Sequence, residues 1–260
     1  MAELPLAFTA VTQDFPRPGG GTLRVLDGLT FDVPQGRFVS VLGPSGCGKS
    51  TLLQMAAGLL FPTGGSVMHR GARIADVNRE VGFVPQQAQL LPWKTLADNV
   101  AFPLVLRGVA PPEQARRTTA ALARVGLDGF GLHYPYQLSG GMQKRAAIAR
   151  TLVYGPDVIL MDEPFGALDA QTRMQMQSDL QDIVTAEGAT VLFITHDITE
   201  AVLLSDHVVV LSRRPTRILA QVDIPLARPR NTFEPFATPG FNEAYESVWS
   251  VLRGAIGRAA

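Results

Sequence analysis

The sequence predicts an α/β protein with an all-helical segment inserted into it. Residues 38–42 form an apolar run that leads into a glycine-rich loop and then a helix-forming stretch. After Gly155-Pro156, strand-like and helix-like stretches alternate again, whereas helix start and stop signals dominate residues 90–154. Because strands that alternate with helices usually pair in parallel, we expect a parallel sheet interrupted by a helical insert.

The individual elements follow from apolar runs and from residues that start or stop helices. Strands are predicted at residues 6–15, 23–33, 38–42, 64–68, 81–84, 158–161, 190–194 and 207–211. Helices are predicted after the glycine-rich loop, at residues 95–108 and 111–126, after Ser139, and at residues 170–187 and 198–205. The first two strands should form a small antiparallel sheet, and the strand at 207–211 should complete the parallel one.

The composition is that of a globular protein. A chain of 260 residues is long for one compact core, so we expect one domain with an inserted lobe, and a hydrophobic content of 46% is ample for burial. The 23 basic and 23 acidic side chains balance, which argues against a nucleic-acid partner bound by a broad basic face. No apolar run reaches the roughly 18 residues that cross a bilayer, and the first ten residues lack signal-peptide features. We therefore expect neither secretion nor a membrane span.

The glycine-rich loop has the pattern of a phosphate-binding loop. Its glycines permit positive φ angles, and its N–H groups and the following helix dipole favour an anion. In such a loop the lysine reaches the β- and γ-phosphates, the serine hydroxyl binds Mg²⁺, and the threonine reaches the α-phosphate. The alternative is a chance glycine-rich turn. The candidate nucleotide-binding residues are Gly43, Pro44, Ser45, Gly46, Cys47, Gly48, Lys49, Ser50 and Thr51.

The single cysteine, Cys47, excludes an internal disulfide and suggests a reducing compartment. We expect it to be a small residue that the loop tolerates. The alternative is a redox-sensitive thiol activated by the helix N-terminus.

Two further segments carry chemistry. The apolar strand at 158–161 ends in Asp162 and Glu163, which in a chain with a phosphate loop are candidates for the Mg²⁺ ligand and the group that activates water. Ser139, Gly140 and Gly141 precede a helix and form a second possible anion site. The alternatives are two exposed acids at a strand end and an ordinary helix N-cap.

At this point the chain resembles the ATPase subunits of ABC transporters. The strings GPSGCGKST, LSGGM (residues 138–142, the signature segment), MDEP and Thr195-His196-Asp197 stand in that family's order and spacing, and the resemblance extends from the first strand to at least Leu211. It implies a P-loop NTPase (RecA-like) core with an N-terminal antiparallel β subdomain and an inserted α-helical subdomain. The implied boundaries are 1–87 and 156–230 for the core, 88–155 for the helical subdomain, and 231–260 for a C-terminal tail.

The resemblance also implies roles for individual residues. Gln86 contacts Mg²⁺ and water and serves as the hinge between core and helical subdomain, while Glu163 polarises water. His196 contacts the γ-phosphate, and Asp169 belongs to a loop along the dimer seam. Phe15 stacks on adenine, where the family usually has Tyr, so the hydroxyl is lost. Without the resemblance, Gln86 reads as a solvated loop residue and His196 as a cap or core histidine.

The implied cofactors are ATP and Mg²⁺, and the implied partners are a second ATPase subunit, membrane permease subunits and, indirectly, a solute-binding protein. In the family, Ser139 to Met142 of one copy close over the ATP of the other. The implied location is peripheral, on the cytoplasmic face of the inner membrane.

The apolar stretch at 90–95 suits a groove for a permease helix, and its alternative role is packing within the helical lobe. Together with residues 222–226 and 228–230, this stretch resembles the nitrate, sulfonate and taurine importer branch. Two other functions remain open: a soluble ABC-type ATPase acting on nucleic acid or ribosomes, and a phosphotransferase.

The last segment should form an amphipathic helix. Its apolar face is predicted to consist of Phe241, Tyr245, Val248, Leu252 and Ile256. We expect this face to pack on the core rather than to bind a separate partner.

Overall fold

The computed structural model describes residues 4–166 and 168–256, which form two β-sheets with helices packed around them. The strands are β1 (Leu6–Pro16), β2 (Thr22–Val33), β3 (Phe38–Leu42), β4 (Gly64–His69), β5 (Ala72–Arg73), β6 (Val81–Val84), β7 (Val158–Asp162), β8 (Thr190–Thr195), β9 (His207–Leu211) and β10 (Ile218–Asp223). The helices are α1 (Lys49–Ala56), α2 (Leu96–Leu106), α3 (Pro111–Arg124), α4 (Gly140–Leu152), α5 (Ala170–Glu187), α6 (Ile198–Leu204) and α7 (Phe241–Ile256). Each predicted strand and helix is present, and the bounds that the sequence predicts agree with the observed ones to within two residues.

The first sheet is antiparallel, as predicted, with the strand order β2-β1-β4-β5. β1 pairs with β2, and Phe8 stacks on Phe31 with ring centroids 4.3 Å apart. One face of this sheet packs against one face of the second sheet. Phe8 of β1 and Val41 of β3 accordingly belong to the same apolar cluster.

The second sheet has the order β10-β9-β3-β8-β7-β6, and the strands from β9 to β6 are parallel. Strands β3 and β8 are buried along their whole length because other elements cover both faces of the sheet. The carboxyl ends of β3, β6, β7 and β8 therefore reach the same edge, which is where parallel sheets of this kind bind ligands.

The sequence predicts that β9 completes the second sheet, but the sheet extends one strand beyond it. β10 pairs antiparallel with β9 and forms the edge. Its residues alternate between half-buried and exposed, so it lacks the continuous apolar run that identified the parallel strands.

Helices α2, α3 and α4 lie between β6 and β7 in the sequence and pack against one another. Leu96, Val100 and Leu122 of these helices belong to the same apolar cluster as Phe165 and Phe193 of the core. The helical lobe and the parallel sheet therefore share continuous packing.

Helix α7 covers α6 and the β9–β10 edge. Phe241, Ala244 and Val248 are buried against Ala201 and other residues of α6, which confirms the predicted packing of the last segment on the core. The side chain of Ile256 lies outside the described residues. In the ranges 4–166 and 168–256, no helix is both long and apolar enough to span a membrane.

Candidate nucleotide site

Four strand ends place the motif residues at one edge of the parallel sheet. The phosphate loop follows β3, Gln86 follows β6, Asp162 ends β7, and His196 follows β8. Several of these residues and the β9–β10 turn line a cleft of about 390 Å³. Its lining residues are Ser45, Gly46, Gly48, Lys49, Ser50, Thr51, Gln86, Asp162, Glu163 and Arg214. Ser45 and Glu163, which are 118 residues apart in sequence, thus line the same cleft. Arg214, from a still later part of the chain, lines it too.

The loop backbone requires glycine at two positions. Gly46 and Gly48 have φ angles of 74° and 111°, in the region that disfavours other residues. A Cβ on Gly48 would also lie 2.8 Å from side-chain atoms of Val25 and Leu26. No side chain caps the start of α1, so its first N–H groups are available to an anion.

Lys49 is buried at the base of this cleft. Its Nζ donates to the carbonyls of Gly43 (2.9 Å) and Pro44 (3.1 Å) and lies 3.4 Å from Oε1 of Glu163. The carbonyls of Gly43 and Pro44 thus fix the ammonium group of a lysine that lines the cleft. A buried ammonium group at this position gives the cleft a fixed positive charge for phosphate.

Ser50 and Asp162 provide two converging oxygen ligands. Ser50 Oγ donates to Asp162 Oδ1 at 3.1 Å, and both residues line the cleft with Gln86. Two neighbouring ligands of an octahedral Mg²⁺ are about 3 Å apart, so this hydroxyl, carboxylate and amide set fits that ion. Burial raises the pKa of Asp162, and the hydrogen bond from Ser50 opposes that rise.

Glu163 is held from two sides. Oε1 faces Lys49 as described, and Oε2 lies 3.1 Å from His196 Nδ1. The φ angle of Glu163 is 40°, which is uncommon for a residue other than glycine, and its N–H donates to the Ile194 carbonyl on β8. The strand end thus aims the carboxylate toward the phosphate loop, where a water attacking a phosphate would lie.

Cys47 is buried behind the loop. Its side chain is 2% exposed, burial raises its thiol pKa, and its carbonyl accepts a hydrogen bond from Thr216 Oγ1. Because reactive cysteines are exposed and have a lowered pKa, this environment favours the structural interpretation over the redox one.

The signature segment lies outside the cleft of its own chain. Ser139 and Gly140 are exposed, and Ser139 caps α4 by accepting from the Met142 N–H at 3.3 Å. A Cβ on Gly141 would lie 2.9 Å from Thr172 Cγ2, so the start of α4 closely approaches α5. Asp169 caps α5 by accepting from the Thr172 N–H, and hydrogen bonds from the side chain and then the N–H of Thr172 lower the pKa of its exposed carboxyl. Ala167, in the same loop as Asp169, lies outside the described residues.

Phe15 also does not line the phosphate cleft. It lies half-buried near the end of β1, opposite Leu23, and packs against the apolar cluster shared by the two sheets. The predicted stacking of Phe15 on adenine therefore stays a prediction.

Two residues at the site have no sequence motif. Arg214, in the turn between β9 and β10, lines the cleft and donates from Nε to the Gly46 carbonyl. Lys144 is buried in α4 and donates to the carbonyls of Pro85 and Gln86. Their roles depend on where the turn and the helix lie in space, so no local pattern in the sequence could identify them.

The comparisons with known proteins agree with this geometry. The family profile described as ABC transporter matches residues 26–166, a range that includes the phosphate loop, the signature segment, and Asp162 and Glu163 at the end of β7. The chain belongs to the ABC transporter family. It is thus an ATPase, and its fold is that of the family's ATP-binding cassettes.

Three relatives illustrate the similarity. An uncharacterized ABC transporter ATP-binding protein of Methanocaldococcus jannaschii is 49% identical over 82% of this chain and 79% of its own length. The taurine import ATP-binding protein TauB of Rhizobium johnstonii is 44% identical over 90% of each chain. The nitrate import ATP-binding protein NrtC of Synechocystis is 44% identical over 89% of this chain but only 35% of its own length.

A solved structure gives the same fold. It is the dimeric post-hydrolysis state of an ATP-binding cassette bound to ADP and phosphate, with a TM-score of 0.75 and 31% sequence identity. The match covers 84% of this chain and 98% of that one.

Proposed function

We propose that this ABC ATPase powers an importer and that two copies close head to tail around two ATP molecules. The observation that carries the proposal is the position of the signature segment, since Ser139 and Gly140 are exposed and lie outside their own cleft. A second chain can reach them, whereas the phosphate loop of the same chain does not. The similar solved structure is also described as dimeric.

Within each cleft, we assign Lys49 to the β- and γ-phosphates and Thr51 to the α-phosphate. Ser50, Gln86 and Asp162 would hold Mg²⁺, which offsets the negative charge of the phosphates when bound. Phe15, near the end of β1, remains our proposed adenine contact. It does not line the phosphate cleft, so the adenine would extend beyond that cleft to meet it.

Glu163 is the proposed general base. The water oxygen attacks the γ-phosphorus, the water proton passes to the Glu163 carboxylate, and ADP leaves. His196 is 3.1 Å from one carboxylate oxygen, so it can orient Glu163 and contact the γ-phosphate from the same position. Lys49 lies against the other oxygen at 3.4 Å.

The second copy supplies the missing side of the site. Ser139 and the first N–H groups of α4 form a helix N-terminus, which favours the negative charge of a γ-phosphate. ATP therefore stabilises the closed pair in proportion to its greater affinity for that state, and hydrolysis removes the difference. Asp169, which caps α5 next to the start of α4, would lie along the same seam.

The permease contact is proposed at residues 90–95. Leu90 packs into the helical lobe, but Trp93 is 71% exposed. Buried Asn99 fixes this loop, since its side chain accepts from the Leu91 N–H and donates to carbonyls of the same loop. A rigid loop with an exposed aromatic side chain suits a groove for a helix of another protein.

The relatives named for taurine and nitrate import support an importer for a small solute of this kind. We place the chain at the cytoplasmic face of the inner membrane, as a peripheral subunit. A solute-binding protein would contact the permease rather than this subunit.

Glu163→Gln tests the proposal. We expect kcat to fall at least about 100-fold, because the amide cannot accept the water proton, while ATP and Mg²⁺ produce a stable dimer in size-exclusion chromatography. The matched control is Glu113→Gln on the surface of α3, which should behave like the wild type. Normal turnover by the Glu163 variant would remove it from the role of base, and a monomer at saturating ATP would contradict the closed pair.

A further inference from the structure

The turn between β9 and β10 lies against the phosphate loop. Arg214 Nε donates to the Gly46 carbonyl, and Thr216 Oγ1 donates to the carbonyl of the next loop residue, Cys47. Thr216 is fully buried, whereas Arg214 is exposed and lines the phosphate cleft. The turn therefore supports the loop and also contributes a cationic side chain to the cleft.

Strand β2 also fixes this turn. The Thr216 N–H donates to the Val25 carbonyl, and the Thr216 carbonyl accepts from the Asp27 N–H, both at 2.9 Å. Arg217 pairs with Asp27 at 2.6 Å, which adds a charged contact beside these bonds. Because the turn is bonded both to β2 and to the phosphate loop, the fold sets the position of Arg214 before any ligand binds.

The terminal nitrogens of Arg214 have no partner within residues 4–166 and 168–256. In that part of the chain its side chain makes one hydrogen bond, from Nε to the Gly46 carbonyl, and no ion pair. Nη2 lies 3.5 Å from the position that a Cβ on Gly46 would take, so this donor lies beside the phosphate loop. A guanidinium with unpaired donors matches a phosphate group, which can accept two parallel hydrogen bonds from it.

The strand order places Arg214 and the acidic residues on different sides of the phosphate loop. In the second sheet, β3 lies between β9 and β8, and β7 follows β8. The turn after β9 therefore flanks the loop on one side, and Asp162 and Glu163 at the end of β7 flank it on the other. Because the proposed Mg²⁺ ligand Asp162 and the proposed base Glu163 are on the β7 side, a cation on the β9 side can bind phosphate oxygens without taking part in the chemical step.

The charges along the cleft show what Arg214 adds. Among the described lining residues, Lys49 and Arg214 are cationic, whereas Asp162 and Glu163 are acidic. Without Arg214, one ammonium group would face two carboxylates. ATP keeps a negative charge after it binds Mg²⁺, so a second cation in the lining lowers the electrostatic cost of placing its phosphates there.

We propose that Arg214 is a second cationic nucleotide-binding residue, whose terminal nitrogens contact the phosphates of ATP from the β9 side of the loop. The proposal rests on the proposed function, which places ATP in this cleft. Lys49 and Arg214 then bind the phosphates from two different segments of the chain. Since Arg214 lies away from the water and the Mg²⁺ ligands, it contributes to the affinity for ATP rather than to the rate of the chemical step.

The test compares Arg214→Gln with Arg213→Gln in the full chain. Arg213 is the preceding residue of the same turn and is also exposed, but it does not line the cleft. We expect Arg214→Gln to raise the Kd for a non-hydrolysable ATP analogue with Mg²⁺ about tenfold and to raise KM in parallel, with kcat within about twofold of wild type. Arg213→Gln should change each value less than about twofold, and Arg214→Lys should restore part of the affinity because it keeps the charge.

The salt dependence of binding separates a phosphate contact from a support of the loop through the Gly46 carbonyl. If Arg214 contacts phosphate, the Kd for the ATP analogue should rise less steeply with NaCl concentration in Arg214→Gln than in the wild type, because one charged contact is lost. A role in loop structure alone predicts a higher Kd with the salt dependence of the wild type. That result, or an unchanged Kd, overturns the proposal.

A measurement on the wild-type chain gives the decision if Arg214→Gln does not fold. Phenylglyoxal modifies accessible guanidinium groups, and mass spectrometry of the digested chain reports each arginine separately. We expect the ATP analogue with Mg²⁺ to slow the modification of Arg214 at least about fivefold and that of Arg213 less than about twofold. Equal effects on the two residues, or none, overturn the proposal.

Failure of this inference is distinct from failure of the proposed function. A wild-type chain without Mg²⁺-dependent ATP hydrolysis contradicts the function itself. An active wild type with an unchanged Arg214→Gln variant contradicts only the phosphate contact of Arg214.

Discussion

At the residue scale, the contact between Glu163 and His196 links the ends of the neighbouring strands β7 and β8. One carboxylate oxygen lies 3.1 Å from the imidazole and the other 3.4 Å from the Lys49 ammonium. A phosphate that draws Lys49 away would leave His196 as the group that holds the carboxylate. We therefore propose that the imidazole orients Glu163, in addition to any contact with phosphate.

His196→Ala should lower kcat at least about tenfold and change the ATP affinity less than about threefold, because a catalytic base loses its fixed orientation. Steady-state ATPase kinetics and analogue binding check both values. His207→Ala is the matched control, since His207 pairs with Asp223 at the sheet edge, away from the cleft. Equal losses in the two variants would contradict the role of His196.

Glu200 offers a test of pH dependence outside the cleft. It is 7% exposed and accepts from Thr195 Oγ1 at 2.6 Å and from Gln177 Nε2 at 3.3 Å. Burial raises its pKa above 4.5, with the Thr195 bond opposing the rise. Folding thus favours the protonated acid, so its contribution to stability is complete below pH 4.5 and declines as pH rises through the folded-state pKa.

Glu200→Gln should remove this decline. As pH rises from 4.5 toward neutrality, the free energy of unfolding of the wild type should fall relative to that of the variant. Urea unfolding of both chains at a series of pH values measures the difference. A difference that does not change with pH would show that Glu200 titrates alike in the folded and unfolded chains.

The residues that sequence could identify share one property: their chemistry lies in a contiguous string. Lys49 and Ser50 stand in the phosphate loop, and Asp162 and Glu163 end an apolar strand, so local order alone marks them. Arg214 reaches the Gly46 carbonyl from a turn 168 residues away, and such a contact is fixed only by the tertiary fold.

At the element scale, α7 shows how an amphipathic pattern becomes packing. Phe241 is fully buried against α6, and its ring lies 5.2 Å from that of Phe236, which is 59% exposed. The apolar face of the helix therefore anchors the tail to the β9–β10 edge. The edge strand β10 was missed because its alternating pattern is weaker than the continuous apolar runs of β7 and β8.

Phe241→Ala should destabilise the protein by about 3–5 kcal/mol, since it leaves a cavity at a fully buried site. Phe233→Ala, at a side chain that is 51% exposed, should cost less than about 1 kcal/mol. Urea unfolding measures both. Similar small costs would show that α7 contributes little to the stability of the core.

At the scale of the whole molecule, the phosphate cleft and the signature segment belong to one chain but do not meet. Local motifs in the sequence predict both of these features. The parallel sheet explains how the residues at the ends of β3, β6, β7 and β8 come together. No pattern within one chain specifies the geometry between two copies. The exposed start of α4 is the structural feature on which we base the proposed second chain.

Ser139→Arg in the Glu163→Gln background tests this arrangement. The arginine side chain would occupy the space for the γ-phosphate of the other copy, so we expect the ATP-dependent dimer to disappear. The ATP affinity of the monomer should change less than about threefold, because Ser139 does not line its own cleft. Ala120→Arg on the exposed face of α3 is the matched control and should leave the dimer intact. Size-exclusion chromatography with light scattering distinguishes the outcomes: a dimer that persists in the Ser139 variant would exclude α4 from the interface, and a monomer that no longer binds ATP would place Ser139 in its own site.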